Sequence, residues 1–363
     1  MKRLAVLTSG GDAPGMNAAI RAVARLSAAR GAEVLGVEDG YQGLIEGRFI
    51  PLTERPREGT SEVRPVAALD LHAGTGGTEL GSTRCKAFLT REGRARAAAS
   101  LQGIDGLVVI GGNGSLAGAT HLSREHGIRV VGIPASIDND IACTSMALGV
   151  DTALNTIVEA CERISDTARA HRRAFVVEVM GRDSGYLATA AALAVGADGV
   201  LVPEAGRSED DVLRTVEALI VRGFAPGSSK RRVLVLKAEG VGVPCTRLVR
   251  ELQTRIDTQL PGVDVRATVL GHLVRGGSPS YFDRMLAGRF ALAAIEALRS
   301  GARAEMVSYE PTVTGGAPTN DPSVFRFSLE RVIAESAPRS DEQRTEPRPR
   351  LSIIERLEGE LGL

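Results

Sequence analysis

Short apolar runs recur along the chain, each ending in glycine or a polar cluster and each followed by a stretch with helical spacing. Residues 2–8 read as a strand, and Met16 to about Ala29 as an Ala-rich helix with Ile20, Val23 and Leu26 on one side. Ala32 to Val37 reads as a second strand, with a turn at Gly40-Tyr41-Gln42-Gly43 after it. Gly106 to Ile110 is apolar on both faces, as a central parallel strand is, and a helix is expected from Leu116. Val130 to Ile133 repeats the pattern. Further along, helices are predicted over 151–169, 185–195 and 282–298, and another from Ser208, with strands over 174–179, 199–203, 233–236 and 265–270. Alternation of strands and helices predicts an α/β fold with mostly parallel sheets flanked by helices.

What ends the strands carries the chemistry, because parallel sheets place ligands beyond their carboxyl ends. Ser9-Gly10-Gly11-Asp12-Ala13-Pro14-Gly15 and Gly111-Gly112-Asn113-Gly114-Ser115 are glycine turns between a strand and a helix. Bare backbone N–H groups there meet the positive end of a helix dipole, which suits phosphate. Neither turn is GxGxxG or GxxxxGK[ST], so neither is a dinucleotide fingerprint or a Walker loop. After the third strand, Pro134-Ala135-Ser136-Ile137-Asp138-Asn139-Asp140 sends two carboxylates out of the sheet, with Ile137 as the apolar anchor. Gly74 to Arg84 is a Gly/Thr-rich loop before one arginine: either a close backbone approach to phosphate or a flexible loop with a solvated arginine. Arg84, Arg173, Arg182, Arg266, His272 and Arg275 supply cations for a doubly phosphorylated ligand. With Asp138 for a hydroxyl proton and Asp140 for a metal, these are the parts of phosphoryl transfer.

Composition narrows the partners. Of 363 residues, 43% are hydrophobic, enough for a large core in two domains. The formal net charge is zero and there is no Trp, which argues against nucleic acid as a partner. No apolar run is long enough to span a membrane, and the N-terminal one stops at Thr8-Ser9-Gly10, short of a signal peptide. Cys85, Cys143, Cys161 and Cys245 form no CxxC pair and read as free thiols of a cytoplasmic protein. The Pro-, Arg- and Glu-rich residues 337–349 read as a linker before a short amphipathic helix over 352–361.

Eight ordered motifs together resemble the 6-phosphofructokinase family over roughly residues 1–310: LTSGGDAPGMNAAIR, GGTELGSTR, VVIGGNGSLAGA, PASIDNDI, DTALNT, VEVMGRDSGYLA, KAEGVG and VRATVLGHLVRGGSPS. The resemblance implies transfer of phosphate from ATP to fructose 6-phosphate, with Mg2+, in a cytoplasmic, allosteric homotetramer. It implies two similar domains with mostly parallel central sheets flanked by helices and the active site in the cleft between them: an ATP/Mg-binding domain over 1–140, to which part of the C-terminal region returns. A fructose 6-phosphate domain follows over 141–310, and then an extension over 311–363. By position, Asp138 is the base, with Arg84 and Asp140 completing the catalytic set, and Asn113 and Asp140 serve the metal. Gly11, Tyr41, Arg84, Cys85, Gly112, Asn113, Gly114 and Ser115 surround ATP. Ser136, Ile137, Met180, Gly181, Arg182, Glu239 and His272 hold the sugar phosphate, and Arg275 its 6-phosphate. Arg173 and Arg266 reach the same substrate from a neighbouring subunit.

Three departures from the family's pattern stand out. Asn113 replaces the usual Asp, Ala135-Ser136 replaces Gly-Thr, and the effector positions are incomplete. Arg21, Arg25, Glu204 and Lys230 resemble those of bacterial members, whereas Thr75, Ser165 and Ser228 stand where basic residues are expected. Alternatives are a pyrophosphate-dependent phosphofructokinase, disfavoured by the small Gly114 and Ala135, and a catalytically silent sugar-phosphate-binding subunit, suggested by Asn113. An NAD-kinase-like enzyme would not need the Met180–Arg182, Glu239 and His272 group.

Overall fold

The computed structural model describes residues 1–54 and 62–337. They group into two compact units: Met1–Thr152 with residues 275–337, and Ala153–Val274. The linker and short helix expected toward the C-terminus lie outside the described residues, Ala337 excepted.

The first unit is built on an eight-stranded sheet. Its order is Ala317–Pro318, Val324–Ser328, Ala304–Tyr309, Val130–Pro134, Gly106–Gly111, Arg3–Ser9, Glu33–Val37 and Phe49–Pro51. The five central strands are parallel and the edges antiparallel. Arg3–Ser9 and Gly106–Gly111 are buried nearly throughout, as continuous apolar runs between two helical layers must be. The chain leaves Arg3–Ser9 toward one edge and later returns on its other side as Gly106–Gly111. That reversal is a topological switch point, and the two glycine turns stand at its carboxyl end.

The second unit holds a four-stranded parallel sheet, ordered Val265–Val269, Arg173–Val179, Arg232–Ala238 and Gly199–Leu201. Helix Glu209–Gly223 starts where its sequence signal predicts: Ser208 Oγ accepts from Asp211 N at 3.2 Å, and acidic residues fill the first turn.

Several expectations need correction. Gly40–Gly43 is not a turn but the start of helix Gly40–Glu46, entered through a left-handed Asp39. The helix expected from Leu116 begins at Asn113, so Asn113, Gly114 and Ser115 form its first turn. Helices Arg91–Ser100 and Cys245–Ile256 had no predicted counterpart. The second domain ends earlier than the range 141–310 given to it, and the part of the C-terminal region that packs with the first unit begins at Arg275: helix Tyr281–Arg299 lies against helix Met16–Ala28, and Ala304–Tyr309 extends the first sheet. Residues 311–337, read as an extension, add strand Val324–Ser328 and helix Leu329–Ser336 to the same unit.

Candidate active site

At the switch point the two glycine turns touch. Ser9 and Gly111 are register partners, and a Cβ on Gly111 would lie 2.4 Å from Ser9 O and 2.7 Å from Ser115 Oγ. Glycine at 111 is therefore a requirement of close approach. Gly10 and Gly11 are exposed, and Gly114 has nothing within 4 Å of a notional Cβ. The N-terminus of helix Asn113–His126 thus opens on free space beside the exposed first turn, the arrangement that receives phosphate oxygens.

Support comes from beneath. Tyr41 is buried, donates its hydroxyl to Ser115 O at 2.6 Å and stacks on Phe88 at 3.9 Å between ring centroids. Burial pushes the Tyr41 phenol far above its ordinary range, so it remains a donor. Its ring sits under the turn as a prop. Nothing in the sequence flags Phe88, which pairs with Tyr41 only in three dimensions. Cys85 Sγ lies 3.0 Å from Gln42 Oε1.

The Gly74–Arg84 loop is pinned, which removes the flexible reading. Ser82 Oγ donates to Gly10 O at 2.6 Å, Thr83 Oγ1 to Asp39 O at 2.9 Å, and Glu79 N to Asn17 Oδ1 at 2.7 Å. Gly76 lies so close to Gly277 that a Cβ would fall 2.7 Å from its carbonyl. The loop therefore presents Arg84 exposed, with no carboxylate partner among the described residues.

The carboxylate stretch alternates in burial. Ala135, Ile137 and Asn139 are buried, while Ser136, Asp138 and Asp140 are partly exposed. Ile137 is completely buried, so it anchors the stretch from beneath and presents no surface to a ligand. Ala135 is 1% exposed, so packing limits side-chain size there and the open space lies at Gly114. Asn139 takes a left-handed φ of 48°, which Asn tolerates, and its amide donates to Ser145 O and accepts from Ala147 N. This anchoring residue between the two aspartates was legible only as a turn former.

Asn113 Nδ2 donates to Asp140 Oδ2 at 3.0 Å, and Ser136 Oγ lies 3.3 Å from Asp140 Oδ1. That bond fixes the amide, and leaves Asn113 Oδ1 buried without a hydrogen-bond partner. An orphaned amide oxygen beside a carboxylate at a phosphate cradle fits Mg2+, which takes few protein ligands and relies on waters and substrate phosphates. Among the described residues no group of three or more His, Cys, Asp or Glu forms a self-sufficient metal site.

Arg275 belongs to the first unit: its Nη1 donates to Asp12 O at 3.0 Å and lies 2.7 Å from a notional Gly11 Cβ. It therefore sits against the glycine turn.

In the second unit, Met180, Gly181, Arg182, Glu239 and His272 all follow carboxyl ends of neighbouring strands. Glu239 N donates to Val179 O at 2.9 Å and Gly240 N to Gly181 O at 3.1 Å, so two of these loops are locked together. Gly181 has φ 133°, open only to glycine. Arg182, Glu239 and His272 are exposed. Arg173 and Arg266 stand at the opposite ends of these strands and share Asp264 Oδ2, at 3.1 and 3.0 Å. Six extended residues separate Arg173 from Met180, seven steps or roughly 23 Å along the strand, farther than an arginine side chain reaches.

Residues 3–298 match the phosphofructokinase family model. The chain is 46% identical over 312 residues to the ATP-dependent 6-phosphofructokinase of Thermotoga neapolitana, covering 85% of this chain and 90% of that one. It is 46% identical over 310 residues to ATP-dependent 6-phosphofructokinase 1 of Thermus thermophilus, covering 85% and 89%. Among solved structures, Pichia pastoris phosphofructokinase in the T-state superposes with a TM-score of 0.80 at 31% identity, over 99% of this chain and 39% of that longer one. The pyrophosphate-dependent phosphofructokinase of Marinobacter aquaeolei superposes with a TM-score of 0.72 at 20% identity, over 98% and 91%, a likeness of fold. With eight motifs in order and a family match across most of its length, the chain belongs to the phosphofructokinase family.

Proposed function

We propose that the chain transfers a phosphoryl group from ATP to the 1-hydroxyl of fructose 6-phosphate, giving ADP and fructose 1,6-bisphosphate, as in glycolysis. The carrying observation is the phosphate cradle at the switch point, open at Gly114 and flanked by Asn113 and Asp140, in a chain whose curated relatives are ATP-dependent 6-phosphofructokinases. Gly11, Gly112 and the first turn of helix Asn113–His126 receive the nucleotide's phosphate oxygens, and the space at Gly114 admits the rest of ATP. Asp138 takes the proton of the sugar's 1-hydroxyl as that oxygen attacks. Arg84 neutralises charge on the transferred group, worth most where water is excluded. Asn113 and Asp140 would hold Mg2+, which supplies charge neutralisation on the phosphates when bound.

On this reading Ser136, Met180, Gly181, Arg182, Glu239 and His272 hold the sugar phosphate, Ile137 anchors the stretch that carries Ser136 and Asp138, and Arg275 turns to its 6-phosphate. Arg173 and Arg266, at the far end of the second sheet, serve a neighbouring chain's substrate in a cytoplasmic homotetramer. Thr75, Ser165 and Ser228 stand where basic residues are expected, so the allosteric response to anionic effectors is weak; Arg21 and Arg25, which resemble effector residues, both pair with Asp70, at 2.5 and 3.1 Å. Among the described residues no helix is long and apolar enough to cross a membrane.

The test is catalytic efficiency with fructose 6-phosphate and either ATP or pyrophosphate as donor. ATP is expected to win clearly. Better turnover with pyrophosphate would overturn the reading of Gly114, and no turnover with either donor would leave a silent binding subunit.

A further inference from the structure

Lys237 is 1% exposed and lies opposite Glu178 in the register of strands Arg232–Ala238 and Arg173–Val179. On the same face these strands carry Val233 and Val235, and Ala174 and Val176, all in the apolar core of the second unit. The two charges therefore end an apolar column at the carboxyl edge of the sheet. Lys237 Nζ is 2.7 Å from Glu178 Oε2 and 3.4 Å from Ala238 O. Cys245, the first residue of helix Cys245–Ile256, places its Sγ 3.3 Å from the same Oε2. Burial and the neighbouring carboxylate push the Cys245 thiol up to about 12, so it stays protonated and donates.

One residue separates Glu178 from Met180, and one separates Lys237 from Glu239. Cys245 closes the loop that Glu239 opens. Val269, the register partner of Glu178 on its other side, leads within three residues to His272. The cluster thus stands at the root of three loops. Those loops also bear on each other: a Cβ on Gly240 would lie 1.9 Å from Arg182 O. A small slide of one strand end against the other would displace Arg182 and Glu239 together.

We propose that Lys237, Glu178 and Cys245 are positioning residues for the sugar-phosphate loops, an inference that rests on the sugar-phosphate reading above. Well-packed apolar side chains of similar volume are often as stable as a buried ion pair or more so. What the pair adds is a short directional contact across two strand ends, with the thiol tying in the helix that closes the loop. Apolar packing, being non-directional, tolerates the slide.

The experiment replaces both charges, as Lys237→Met with Glu178→Met, so that no lone buried charge remains. The double variant should melt near the native Tm, keep its kcat and ATP KM, and raise the KM for fructose 6-phosphate roughly ten-fold, a coupling of ordinary size. Cys245→Ala, which buries no charge, should raise that KM about three-fold, and Cys245→Ser should restore it. Arg182→Ala is measured alongside. If Arg182→Ala raises the KM while the double variant and Cys245→Ala keep the native value, the positioning role is overturned and the sugar-phosphate reading stands. If Arg182→Ala leaves the KM unchanged, that reading falls and the inference with it. Should the double variant fail to fold, the Cys245 pair decides alone.

Discussion

At the scale of single residues, the chemistry depends on which side chains the stretch after strand Val130–Pro134 turns outward. Burying Ala135, Ile137 and Asn139 leaves Ser136, Asp138 and Asp140 on the accessible side. Asn139 holds the stretch open by bonding Ser145 and Ala147 from a left-handed conformation. An Asp138→Asn variant keeps the size and the backbone but cannot take a proton. Its kcat should fall by about 10²–10⁴-fold, the usual worth of a positioned base, with the KM for fructose 6-phosphate nearly native. Turnover within a few-fold of native would remove Asp138 from that role.

At the scale of elements, the helices are set by caps that reach across sequence. Asp283, in the first turn of helix Tyr281–Arg299, is fully buried and caps helix Val150–His171. It accepts from Gly149 N and Thr152 N, each at 2.9 Å, and from Thr152 Oγ1 at 2.5 Å. Desolvation outweighs these bonds and raises the Asp283 carboxyl above its ordinary value. A group that holds its proton more tightly folded than unfolded adds stability below its unfolded value, near 3.9 as an approximate reference. That stability is lost as pH rises through the folded value. The native chain should therefore lose stability relative to Asp283→Asn as pH climbs from about 4 toward neutrality. A pH-independent cost to the variant, about 1–3 kcal/mol for the donor that Asn leaves unmet, is superimposed. Paired thermal melts across that range check the sign. A Tm difference that stays flat, or shifts in favour of the native chain, refutes it.

At the scale of the molecule, Arg173 and Arg266 share Asp264 at the amino ends of their strands, far along the sheet from Met180 and His272. If they serve a neighbour's substrate, two inactive chains can repair one another. Asp138→Asn lacks the base, and Arg173→Ala with Arg266→Ala lacks the donated cations. Co-refolding the two should yield hybrids with activity that neither parent has, because some sites then combine an intact base with intact arginines. Mixtures no more active than their parents, with hybrid formation verified by mass, would confine each site to a single chain.

What the sequence by itself determined was the alternation of strands and helices, the glycine turns at strand ends and the family signature. These are local facts: apolar period, turn chemistry and helix-start residues act over a few neighbours. It placed helix Glu209–Gly223 by its Ser208 cap, and it assigned Ile137 the role of anchor. Helix Cys245–Ile256 escaped because its start lacks a side-chain cap, with Pro244 at the N-cap. The first turn at Asn113 escaped because glycine and asparagine read as loop until the dipole-end geometry is seen. Only the tertiary structure decided which C-terminal residues, 275–337, complete the first unit, that Phe88 props Tyr41, and that Asn113 is spoken for by Asp140. It alone brought Lys237, Glu178 and Cys245 to one carboxylate oxygen. Each joins residues far apart in the chain, and such contacts follow from strand register and packing, which no local pattern encodes.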